Sequence, residues 1–144
     1  VKNAFNNEIL NSFSNINKML YKLSKIDAEH NGLTVPQLKT LYKVSSSPNI
    51  GLVELAEYLK LTNSTVSGVV DRLVQQELLE RHTPSHDRRA ITIRLSKKGE
   101  EKLEQVVESE SLLVKKLNEI AKLPKKDIEQ LLSIHEQILT ILKQ

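Results

Sequence analysis

A change of hydrophobic period partway along the chain constrains its fold more than any other feature. Within residues 62–95, Val66, Val69, Val70, Leu73 and Val74 recur at the three-and-four spacing that lines one face of a helix. After Leu78 the period shortens to two. Ile91, Ile93 and Leu95 alternate with Ala90, Thr92 and Arg94, which is the pattern of a half-buried strand. Residues 78–82 can pair with that strand, and the polar, turn-forming run Thr83-Pro84-Ser85-His86-Asp87-Arg88-Arg89 joins the two. A short helix feeding a two-stranded ribbon predicts a mainly α fold with a small β-hairpin.

The face of this helix opposite the valines carries Asn63, Ser64, Thr65, Ser67, Gly68, Asp71 and Arg72. It is too polar to bury in a core and too small to hold a close neighbour away, which suits a helix lying in a groove of DNA. Asn63 can pair bidentately with adenine, Ser64, Thr65, Ser67 and Gly68 allow close contact with base edges and thymine methyls, and Arg72 lies toward the phosphates. All the arginines, Arg72, Arg81, Arg88, Arg89 and Arg94, fall in this one stretch, whereas lysines run from Lys2 to Lys143. Arginine forks onto phosphate and fits a narrow minor groove.

The run ELAEYLKLTNSTVSGVVDRLVQQELLERHTPSHDRRAITIRLSKKGEE, residues 54–101, closely resembles the winged helix-turn-helix core of the MarR (multiple antibiotic resistance regulator) family. Its most specific piece is Asp87-Arg88-Arg89, then a strand, then Leu95-Ser96-Lys97-Lys98-Gly99. The resemblance implies that Arg88 and Arg89 at the wing tip enter a minor groove beside the recognition helix. Asp87 is then the residue that orients an arginine, since a carboxylate facing phosphate would otherwise repel it. It also implies a transcription regulator, a repressor, whose grip on a pseudo-palindromic operator is released by a small organic ligand.

The rest of the chain sets limits. At 144 residues it is a single domain, with 39% hydrophobic and 27% charged residues. The absence of cysteine excludes disulfides, thiolate sensing and cysteine-ligated zinc. No run approaches a membrane span and no signal-peptide pattern opens the chain, so a cytoplasmic protein without a membrane partner is expected. A glycine-rich phosphate loop and a nucleophile with its base are both missing, so no enzyme and no cofactor are expected. His82 and His86 flank the wing. His135, between Leu131 and Ile138, reads as a core or interface histidine; with His30 it lacks the H-x-x-x-H spacing, and no metal site is assigned.

Six helices are predicted. Phe5, Ile9, Phe13, Ile16, Leu20 and Leu23 define the first, stopped by Asn31-Gly32. Thr34-Val35-Pro36-Gln37 opens the second with a capping box, and Leu38, Leu41 and Tyr42 give its inner face. Ile50-Gly51 adds a third strand, residues 52–59 form a third helix, and Thr62 caps the fourth. Ser96 caps a long fifth helix with the stripe Leu103, Val106, Val107, Leu113, Leu117 and Ile120, broken at Leu123-Pro124, after which a sixth carries Ile128, Leu131, Leu132, Ile138, Leu139 and Leu142. The terminal helices carry more apolar stripe than a small winged helix can cover, so a homodimer is expected. The expected organisation is one domain over 1–144, with a winged helix-turn-helix lobe at 34–98 and dimerisation helices at 1–30 and 99–144. An organic effector is expected in the crevice where residues 96–99 enter the fifth helix, beside the first and second. The rival reading is a winged helix that serves as a protein-interaction module without DNA binding; Arg88 and Arg89 argue against it.

Overall fold

The computed structural model describes residues 4–83 and 91–144, and side chains from Asn6 onward. The side chain of Phe5 and the wing-tip residues His86, Asp87, Arg88 and Arg89 lie outside the described residues. In chain order the elements are α1 (Ala4–His30), α2 (Val35–Ser46), β1 (Ile50–Gly51), α3 (Leu52–Leu59), α4 (Asn63–Gln75), β2 (Leu79–His82), β3 (Thr92–Leu95), α5 (Lys97–Glu108), α6 (Leu112–Ile120) and α7 (Lys125–Leu142).

Local chemistry sets most of these boundaries. Gly32 ends α1 at φ 70°, where a residue with a Cβ would be strained. Thr34 and Gln37 close the capping box reciprocally: the Gln37 amide donates to Thr34 Oγ1 at 3.3 Å and the Thr34 amide to Gln37 Oε1 at 3.0 Å. Between α3 and α4 the chain turns through Lys60 at φ 56°, and the Leu61 amide returns to the Ala56 carbonyl at 3.1 Å. Thr62 then caps α4 by accepting from the Thr65 amide. That tight turn makes α3 and α4 a helix-turn-helix.

The sheet is antiparallel in the order β1-β3-β2, with Ile50 opposite Ile93 and Leu79 opposite Leu95. Its inner face meets α2, α3 and α4 in one core that includes Leu41, Val44, Leu55, Val66, Val70, Leu73 and Ile93. Ala28 of α1 and Leu103 and Val106 of α5 belong to the same core, so the lobe is tied to the flanking helices at both ends. Tyr42 departs from its expected place. It is 41% exposed, because Leu38, Leu41 and Val44 already fill the buried face of α2.

The helix expected after Ser96 is not continuous. It ends at Glu108 and restarts at Leu112 as α6. The break is built by Asp27, far away in sequence on α1, whose carboxylate accepts from Ser111 Oγ at 2.7 Å, the Leu112 amide at 2.8 Å and the Leu113 amide at 3.1 Å. Ser111 in turn caps α6 by accepting from the Val114 amide. A carboxylate at a helix N-terminus satisfies orphan amides and opposes the positive end of the helix dipole.

Candidate nucleic-acid interface

Helix α4 is anchored along one side and open along the other. Val66, Val70 and Leu73 are buried, whereas Asn63, Ser64, Thr65, Gly68 and Arg72 are exposed and Ser67 is half-buried. The structure therefore brings all the proposed reading residues of the helix onto one uncovered face. Thr65 is oriented within it: the Thr62 hydroxyl donates to Thr65 Oγ1 at 2.9 Å and accepts from the Thr65 amide.

Gly68 is the informative position. It lies mid-helix, where glycine costs about 1 kcal/mol relative to alanine, and a Cβ placed there would meet nothing within 4 Å. No contact within the described chain requires glycine there.

The arginines separate into different roles. Arg94 pairs with Glu80 across the ribbon at 3.5 Å, and Arg81 of β2 hydrogen-bonds Asp71 of α4. The arginine-rich stretch read in the sequence is thus partly neutralised by Asp71 and Glu80 within it. Arg72 has no ion pair among the described residues and projects from the last turn of α4.

Behind the ribbon, the Leu95-Ser96-Lys97-Lys98-Gly99 segment locks the wing to α5. Ser96 Oγ donates to the Glu77 carbonyl and accepts from the Gly99 amide at 2.9 Å, and the Ser96 amide reaches the Leu78 carbonyl at 3.1 Å. A Cβ on Gly99 would stand 2.0 Å from the Leu78 carbonyl oxygen. This junction is closely packed, and of two cavities near it the first lies against Leu95 and Glu100 and the second farther off. One, of about 610 Å³, runs between α2 and α5 past Val44, Pro48, Leu95, Leu103, Glu104 and Val107. The other, of about 340 Å³, lies at the far end of α5 between α1, α2 and α6, with apolar Val35, Leu38, Val106 and Val114 beside polar Ser24, Asp27, Lys39 and Tyr42. The cavity that touches α1 therefore lies by the α5–α6 break and not by residues 96–99. The Tyr42 phenol there is held above its ordinary value of 10.0, first by burial and then by the negative charge of Asp27.

The described histidines, His30, His82 and His135, are all exposed. His30 and His135 are both exposed in the single chain, so His135 is not a core residue: α7 packs no face into the lobe. Among the described residues, no three histidines or carboxylates are grouped as metal ligands. No described helix is long and apolar enough to cross a membrane.

A three-helix core, a helix-turn-helix whose second helix is uncovered on its polar side, and an antiparallel ribbon beside it define a winged helix-turn-helix protein. Residues 33–91 match the MarR family. The HTH-type transcriptional regulator YhbI of Bacillus subtilis is 32% identical over 90 residues, 62% of this chain and 58% of that protein. MdtR, an HTH-type transcriptional repressor of the same organism, is 33% identical over 79 residues, 55% of this chain and 51% of that one. The match spans little more than half the length of these curated relatives. A cysteine-to-serine mutant of MarR from E. coli, complexed with operator DNA, shares the fold with a TM-score of 0.77 at 22% identity over 96% of this chain and 99% of that one. Residues 33–91 thus carry the match to the MarR family, and the described fold is shared with solved MarR structures.

Proposed function

We propose that this chain is a sequence-specific DNA-binding transcription regulator, a repressor, that grips a pseudo-palindromic operator as a homodimer and is released by a small organic effector. The observation that carries the reading is the uncovered polar face of α4 with Gly68 at its centre, where a Cβ would meet only open space. A mid-helix glycine that nothing among the described residues requires is accounted for by close approach of something outside the chain, and a major groove admits a helix of this kind. Asn63, Ser64, Thr65, Ser67 and Gly68 read base edges, and Arg72 holds phosphate. Arg88 and Arg89 enter the minor groove with Asp87 orienting them. The operator-bound E. coli relative and the repressor MdtR support the same reading.

The dimer follows from what the chain leaves uncovered. Neither α6 nor α7 buries a single residue, and α7 barely touches the other described elements. An apolar groove between α1 and α6, floored by Ile16, Met19, Leu20, Leu113 and Leu117, also faces outward. A second copy covers these faces. The effector belongs in the cavity by Asp27 and Tyr42, which adjoins both the lobe and the dimerisation helices. A ligand there releases DNA only if it favours a dimer whose recognition helices no longer match successive grooves.

Selection of bound sequences from a random DNA pool tests the reading. The expected product is two related half-sites about 10 base pairs, or roughly 34–36 Å, apart centre to centre. A pool that stays unenriched overturns it and favours the protein-interaction reading.

A further inference from the structure

Asp71 is out of place on a DNA-reading face. It follows Asn63 and Ser67 at four-residue steps, so it continues the same stripe of α4 toward its C-terminal end. A free carboxylate there would face the phosphates and weaken binding. Arg81 is equally out of place on its strand. Cross-strand partners share a face of a sheet, and Arg81 stands opposite Ile93, which is 1% exposed. With Leu79 two residues before it, Arg81 therefore belongs to the inner face, at the edge where the ribbon passes α4. There its guanidinium hydrogen-bonds the Asp71 carboxylate.

We infer that Asp71 and Arg81 are a positioning pair: Arg81 cancels the carboxylate on the recognition stripe and sets the angle between recognition helix and wing, and neither residue contacts DNA. Both side chains are substantially exposed, and an exposed ion pair adds little to folding stability. Its value lies in geometry, because the base-reading helix and the groove-entering wing must be presented together. Arg81 thus differs from Arg72, which has no described ion partner and is open to phosphate.

The inference rests on the DNA-binding reading above, and the test separates the two. Operator affinity is measured against salt for the full chain and for Asp71→Asn, Arg81→Gln, the double variant and the exchanged pair Asp71→Arg with Arg81→Asp, with hydrogen exchange of the β2 amides followed in the free proteins. Each single variant is expected to bind on the order of tenfold more weakly, as coupled neighbours do. The double variant should be no weaker than either single one, and the exchanged pair should recover part of the loss. The Arg81→Gln salt slope should stay that of the parent, while β2 amides exchange faster in both single variants. A slope that flattens by roughly 0.9 per phosphate lost would make Arg81 a phosphate contact, and tighter binding by Asp71→Asn would reduce Asp71 to simple repulsion; either result overturns the pairing role alone. Failure of the parent chain to bind any selected DNA overturns the DNA-binding reading, and this inference with it.

Discussion

Single residues here are constrained by space more than by chemistry, and the two mid-motif glycines show opposite forms of the constraint. At Gly68 a methyl group meets nothing within 4 Å. Gly68→Ala should therefore raise stability by about 0.5–1 kcal/mol through helix propensity and yet weaken operator binding, because the methyl occupies the contact surface. Thermal melts and operator titrations on the same samples check this; unchanged affinity would remove Gly68 from the interface. The Asp27–Tyr42 pair gives a second residue-scale prediction. Burial and the Asp27 charge both hold the Tyr42 proton on. The unfolded chain releases that proton nearer the ordinary value of 10.0, so this group's contribution is unchanged below that pH and disfavours folding as pH rises above it. Asp27→Asn removes the smaller cause, so the Tyr42 phenol should titrate at lower pH, read by ultraviolet difference absorbance. An unmoved titration would mean that the two side chains do not share the cavity.

At the scale of elements, two junctions decide how the reading lobe is joined to the terminal helices. The first, from β3 into α5, has no room to adjust: the Gly99 Cα hydrogens lie against the Leu78 backbone, and Ser96 bridges to Glu77. Gly99→Ala should destabilise the fold by about 1–3 kcal/mol, the usual cost of forcing atoms into a packed site, measured by denaturant midpoint. A neutral substitution would show that the junction yields. The second, between α5 and α6, depends on a few hydrogen bonds to Asp27 around a small polar break, where Ser109 also approaches Asn31 at 3.4 Å. Because the cavity proposed above for the effector includes both Asp27 and Ser111, this break is the element boundary best placed to respond to a ligand.

For the whole molecule, the distribution of apolar surface predicts assembly. Leu117, Leu132, Ile141 and Leu142 all stand exposed in one chain, the last at 73%, and a terminal helix that buries no residue among the described elements needs a partner outside them. The intact protein should scatter light as a dimer, and removal of residues 123–144 should yield aggregated or unfolded material; a soluble, well-folded monomer would place the interface elsewhere. The proposed dimer, presenting two reading helices and two wings, would neutralise several phosphates. Its operator affinity should fall with salt at a slope of roughly −0.9 per phosphate neutralised. A flat dependence would argue against backbone contacts.

What the sequence by itself determined is what local physics governs. The change from helical to alternating period placed α4 and the ribbon, and the caps Thr34, Thr62 and Ser96 placed the starts of α2, α4 and α5, because each depends only on residues within one turn. The polar side of α4 that faces away from the core was legible for the same reason, since a helix face follows from spacing. The α5–α6 break left a trace, the polar run of residues 108–111 within an otherwise apolar stripe, but its cause is Asp27, more than eighty positions earlier in the chain. Only the tertiary structure decided that contact, the pairing of Arg81 with Asp71, the exposure of Tyr42 and the fit of Gly99 against Leu78. Each is a meeting of groups that spacing along one element cannot encode: which acid an arginine finds, or which carbonyl a glycine must clear, is settled only when separate elements pack.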